Sequence, residues 1–114
     1  MTTSHTLGFP RIGRRRELKR AVEAYWAGGI DAAALASAGR AIRAEAWHAQ
    51  ADAGLDLVSV GDFAWYDHVL DTSAMLGAVP ARFGAESLAV DLDTVFRMAR
   101  GRAPSGSDVP ALEM

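Results

Sequence analysis

Only two segments of this 114-residue chain have the character of β-strands, and a long helical stretch separates them. The first, Thr6-Leu7-Gly8-Phe9, is a short run that stops at Pro10 and gives way to a turn through Gly13. The second, Leu55 to Val60, is mostly apolar and bounded by glycines, as expected of a strand buried on both faces. Strand, helices, strand, helices is the order of a parallel α/β protein. A closed eight-stranded barrel takes roughly 250 residues, so two strands predict an incomplete architecture. The last residues, Ala111-Leu112-Glu113-Met114, read as the approach to a further strand, cut before it is finished.

Between the strands the apolar period is helical. Leu18, Ala21, Val22 and Tyr25 form one stripe, with Arg15, Arg16, Lys19, Arg20 and Glu23 largely outside it. That pattern predicts a helix from Arg14, ended by Gly28-Gly29. A second helix starts at Asp31, a good N-cap, with Ile30 and Leu35 at the two positions of a hydrophobic staple. Leu35, Ala38, Ile42, Ala46 and Ala49 continue its buried face, and Gly54 supplies the stop. After the polar and aromatic turn Gly61 to His68, a helix is predicted through Val69, Leu70 and Met75. Residues 77 to 90 read as a connection and Asp91 to Arg100 as another helix, from the spacing of Leu92, Val95, Phe96 and Ala99. Gly101 to Pro110 is a loop rich in Gly, Pro and Ser.

Half of the residues are apolar, but much of that count is alanine, which favours helix and buries little area per side chain. A core made from this composition is thin. The net charge of −2 argues against a protein that coats nucleic acid. With no cysteine the chain builds neither a disulfide framework nor a thiolate metal site. Met1-Thr2-Thr3-Ser4-His5 lacks the basic and then apolar regions of a secretory signal, and Asp31, Arg40 and Arg43 interrupt the most Ala-rich stretch. The expectation is a soluble, cytoplasmic protein with neither a membrane nor a nucleic acid as partner.

The placement of the basic residues says more than their sum. Eleven of the twelve are arginine, and the only lysine is Lys19. Arg14, Arg15 and Arg16 are predicted in the first turn of the first helix, followed by Lys19 and Arg20. Unpaired N–H groups and the macrodipole already make a helix N-terminus positive, so each exposed cation there costs some tenths of a kcal/mol. Arg15 with Lys19 and Arg16 with Arg20 are like-charged i,i+4 pairs, which add a similar penalty. Glu17 and Glu23 relieve only part of it. A ligand with several carboxylates or phosphates compensates such an arrangement. The competing reading is a solvated arginine face.

The turn before the third helix holds Asp62, Asp67 and His68. A carboxylate and histidine metal site can be drawn there, but no second histidine or cysteine has ligand spacing. Asp67 reads equally as an N-cap, and Trp65 and Tyr66 as packing residues. Arg97, Arg100 and Arg102 either extend the anion surface or, for the first two, favour their helix's C-terminal end.

Several segments in order are similar to one family. Thr6-Leu7-Gly8-Phe9-Pro10-Arg11-Ile12-Gly13, Arg16-Glu17-Leu18-Lys19, Tyr25-Trp26, Gly61 to Leu70 and Arg100-Gly101-Arg102-Ala103-Pro104 closely resemble the opening of cobalamin-independent methionine synthase. The resemblance implies transfer of a methyl group from 5-methyltetrahydropteroyltriglutamate to homocysteine, giving methionine, with a zinc-bound thiolate as nucleophile and no cobalamin. It implies an α/β fold, with residues 1–114 as the first strands and helices of an N-terminal (β/α)8 (TIM-like) barrel, truncated before it closes. The zinc ligands of the family, cysteines and a histidine among them, lie in a second, C-terminal barrel, and nothing in this chain matches them. The family's Arg-Glu-Leu-Lys segment contacts the folate, and here it falls on Arg16, Glu17, Leu18 and Lys19. A further folate-contacting lysine of the family would lie just past Met114. By the same resemblance, this polypeptide alone is expected to be inactive in methyl transfer and at most a weak binder of polyglutamate. Two rival readings stand beside it: a free-standing, non-catalytic anion- or folate-binding module, and a fragment that docks on a partner through Trp26, Trp47 and Trp65.

Overall fold

The helical periods of the sequence become helices in the computed structural model of the chain, which describes residues 1–84 and 89–113. Among these, α1 is Glu17–Trp26, α2 Ala32–Asp52, α3 His68–Met75 and α4 Leu92–Arg100, with one further helical turn at Ala81–Phe83. They fall into two compact units, Met1–Phe63 and the residues from Ala64 onward.

The first unit is a pair of helices joined by a short turn, α1 packed on α2, with a non-helical segment at each end. Leu18, Val22 and Tyr25 of α1 and Leu35 and Ile42 of α2 are buried as the spacing predicts, whereas Ala21, Ala38, Ala46 and Ala49 of the same stripes are half-buried and Gly39 is buried in addition. Asp31 caps α2, its carboxylate oxygen accepting the Ala34 N–H at 2.8 Å. Gly28 and Gly54, at φ 75° and 80°, leave the two helices through the left-handed region.

The expected portion of a (β/α)8 barrel is not there: among the described residues no strand and no sheet is formed. Both segments read as strands are extended, but they do not pair in a ladder. The Asp56 and Leu57 N–H groups both reach Ser4 O at 3.1 Å, the Leu55 N–H reaches Gln50 O at 3.3 Å, and several other backbone groups turn to side chains. Ser4 N–H donates to the Asp56 carboxylate, Phe9 N–H to the Asp62 carboxylate and Ser59 N–H to the Gln50 amide oxygen. The reason is physical: two short segments without a third leave both outer edges unpaired, so side-chain acceptors satisfy them instead. Nor is the second segment buried on both faces, with Leu57 at 56% and Val60 at 65% exposure. Residues 111–113, read as the approach to a strand, are irregular, and Met114 lies outside the described residues.

In the second unit α3 and α4 pack together, with Leu70, Phe83, Val95 and Met98 at the centre of the core. Asp67 caps α3 through the Leu70 N–H at 2.9 Å, and Asp91 caps α4 through the Thr94 N–H at 2.7 Å. Of the connection read over residues 77 to 90, residues 85–88 lie outside the described residues. The loop after α4 is tied back to it, with Val109 N–H on Gly101 O at 2.8 Å and Leu112 N–H on Met98 O at 2.9 Å.

The Thr94 hydroxyl and then the Thr94 N–H hold the Asp91 carboxyl below the usual aspartate range. A depressed folded-state value means the cap contributes above the unfolded aspartate pKa, about 3.9, and is lost as pH falls through the folded one. Acidification below about pH 4 therefore weakens α4, and Asp91→Asn removes that part of the acid dependence. Chemical denaturation of both forms between neutral and acid pH checks this.

Candidate anion-binding site

The cluster of cations is real, but its relation to α1 differs from the expectation. The helix begins at Glu17, so Arg14, Arg15 and Arg16 form the turn before it, not its first turn. Arg16 is the N-cap and lies at φ 62°, ψ 39°, the single non-glycine residue with positive φ among those described. A left-handed conformation costs an ordinary residue roughly 1–2 kcal/mol. Three backbone bonds hold it: Arg16 N–H to Gly13 O at 3.2 Å, Leu18 N–H to Ile12 O at 3.1 Å and Arg20 N–H to Arg16 O at 3.2 Å. Gly13 itself sits at φ 82°, where a side chain is strained.

Glu17 takes the place that the sequence left for a ligand anion. Its Oε2 accepts the Arg15 N–H at 2.9 Å. The Arg15 N–H first, and then its own N–H, hold its carboxyl below the usual glutamate range. A methyl group on Gly13 would overlap the same oxygen. The N–H groups of Arg15, Arg16, Leu18 and Arg20 are thus met within the chain, and the cationic charge offered to a ligand is that of the side chains.

Two of those charges are partly neutralised. Lys19 Nζ lies 3.5 Å from Glu23 Oε1 on the next turn, and Arg14 Nε lies 3.2 Å from Glu45 Oε1 of α2. Both pairs are exposed and each contributes well under about 1 kcal/mol, so a multivalent anion competes with them readily. Arg15, Arg16 and Arg20 are exposed and make no ion pair among the described residues. Leu18, by contrast, is 4% exposed and belongs to the core between the helices. Of the four residues singled out, Arg16 and Lys19 stand in solvent, Glu17 folds onto its own turn and Leu18 anchors the helix. Gly13 and Arg14 also border an apolar groove of about 230 Å³, whose other walls are Phe9, Pro10 and the Ile42–Ala49 face of α2.

The second candidate cluster comes apart. The Asp62 carboxylate is bound to the Phe9 N–H in the first unit. Asp67 is a helix cap, and Asp71 accepts the Trp65 N–H at 3.1 Å. No group of three or more potential metal ligands occurs among the described residues. With no cysteine in the chain either, these residues do not fit the zinc site that the resemblance implies. Arg97 is engaged too, donating to Ser105 O at 2.7 Å and to the Thr94 hydroxyl at 2.9 Å.

Sequence reasoning missed Gln50, which is 2% exposed and lies between α2 and both extended segments. Its position four residues after Ala46, on the apolar stripe, was the available signal. It also missed Asp93, 8% exposed, whose carboxylate receives the Ser105 N–H and hydroxyl and fixes the loop after α4.

These features define a class: a helical chain with a cationic turn ahead of its first helix and no metal centre of its own among the described residues. The sequence model of the family described as "Cobalamin-independent synthase, N-terminal domain" matches residues 3–114, and the chain belongs to that family. It is 59% identical over 111 residues to proteins named 5-methyltetrahydropteroyltriglutamate–homocysteine methyltransferase from Salmonella heidelberg (strain SL476), Salmonella dublin and Salmonella typhi. The match covers 97% of this chain and 15% of each relative, so the chain spans about 15% of their length.

Proposed function

We propose that these residues serve as part of the N-terminal domain of a cobalamin-independent methyltransferase that converts homocysteine to methionine with 5-methyltetrahydropteroyltriglutamate. In this reading the chain supplies part of the surface for the folate's polyglutamate tail. The observation that carries it is the exposed charge of Arg15, Arg16 and Arg20, none of them in a close ion pair among the described residues, beside the loosely paired Lys19. Family membership and the names of the relatives supply the ligand: a chain of glutamates is an anion of matching spread.

Within the segment Arg16–Lys19, Arg16 and Lys19 meet tail carboxylates, the first as a planar fork and the second as a compact point charge. Leu18 holds the helix under them, and Glu17 shapes the turn. Zinc, in the same reading, is held by residues outside this chain and activates the homocysteine thiol; the residues described here neither bind it nor take part in the transfer. The isolated chain therefore makes no methionine and binds the tail weakly.

Arg16→Ala and Lys19→Ala are each expected to weaken binding of the triglutamate form by roughly three- to tenfold, the worth of one exposed charge-assisted contact. Titration of each variant, followed by amide shifts, checks this. Losses at neither position would remove Arg16 and Lys19 from the ligand surface. Tight binding by the chain alone would instead favour a free-standing binding module.

A further inference from the structure

We infer that Glu17 is a positioning residue, which braces the Gly13–Arg16 turn by bending back onto it and so holds Arg16 where it meets an anionic ligand. The ligand half of this rests on the folate-tail reading above; the lock rests on the turn itself.

Three observations converge on it. Glu17 Oε2 accepts the Arg15 N–H at 2.9 Å, which ties the carboxylate to the backbone of the residue two places before it. Gly13 leaves the space that this oxygen fills, since a methyl group there would overlap it. Arg16, between the two, keeps a left-handed conformation that an arginine adopts only when its surroundings over-determine it. Glu17 is also an unfavourable neighbour for a polycarboxylate if its charge faces outward. Bent back onto the turn, the same charge is met by backbone donors as well as by nearby Arg20 and Arg15, and Arg16 stays exposed to the ligand.

The hydrogen bond needs an acceptor, not a charge. Glu17→Gln keeps an oxygen that can accept from Arg15, whereas Glu17→Ala has none. In the full chain, the Arg15 amide should exchange with solvent about tenfold faster in Glu17→Ala than in the parent, and at close to the parent rate in Glu17→Gln. Equal exchange in all three overturns the lock, and so does a Gln variant that behaves like the Ala variant. The positioning role is read by titration with 5-methyltetrahydropteroyltriglutamate. Glu17→Ala should weaken binding about as much as Arg16→Ala, and the double variant no more than Arg16→Ala alone, because Glu17 acts through Arg16. Additive losses overturn that role. If the parent chain shows no binding at all, the folate-tail reading falls, and the exchange rates still decide the lock.

Discussion

Replacing Leu70 with alanine is expected to lower the stability of the unit that begins at Ala64 by about 2–5 kcal/mol. Leu70 is 3% exposed in α3 and packs with Phe83, Val95 and Met98 at the centre of that unit's core. The magnitude decides the outcome. A unit of this size has a total stability of only about 3–8 kcal/mol at typical values per residue, so the loss removes most or all of it. Its core has few large side chains to collapse into the space, since much of the chain's apolar content is alanine. Chemical denaturation followed by the helix signal should show this unit unfolded or nearly so under native conditions. A loss below about 1 kcal/mol would mean that Leu70 does not support the core as described.

Gln50→Met carries the second large effect, about 2–4 kcal/mol on the unit Met1–Phe63, from leaving buried polar groups unsatisfied. The substitution keeps length and volume and removes only the amide. The Gln50 amide oxygen accepts from Ser59 N–H at 3.0 Å and the Thr6 hydroxyl at 3.3 Å. Its nitrogen donates to Ala46 O at 3.2 Å and Ser59 O at 3.4 Å. One side chain thus ties α2 to both extended segments, in place of a ladder between them. The Ser59 amide should lose its protection from hydrogen exchange in the variant. Unchanged protection and stability would show that the segments hold together without Gln50.

These two residues also mark where the sequence was legible. Helix positions follow from local rules that act within one turn, so Asp31, Asp67 and Asp91 cap the helices they precede. Leu70 falls in a helix that the sequence predicts and is buried in the core of its unit. The extended segments were misread because a strand is defined by its neighbours. Leu55 to Val60 has a strand's composition, but whether its backbone pairs depends on chain elsewhere, and here it bonds to Gln50 and Ser4. The cationic turn was found by its charge, while its geometry was not. The left-handed Arg16 and the back-bent Glu17 depend on the turn at Gly13, which a helical period starting at Arg14 conceals. The effect was to shift the helix start by about a turn and to occupy the Arg15 N–H with Glu17.

The central claim is that clustered side-chain cations around Arg16 read the number of negative charges on a folate tail. Titrating the chain with the triglutamate and the monoglutamate of 5-methyltetrahydrofolate, with amide shifts observed from Gly13 to Arg20, tests it most directly. The account predicts shifts centred on Arg16 and Lys19, stronger binding of the triglutamate, and a difference that shrinks as salt is raised. Equal response to both ligands, or shifts that leave these residues untouched, would contradict it.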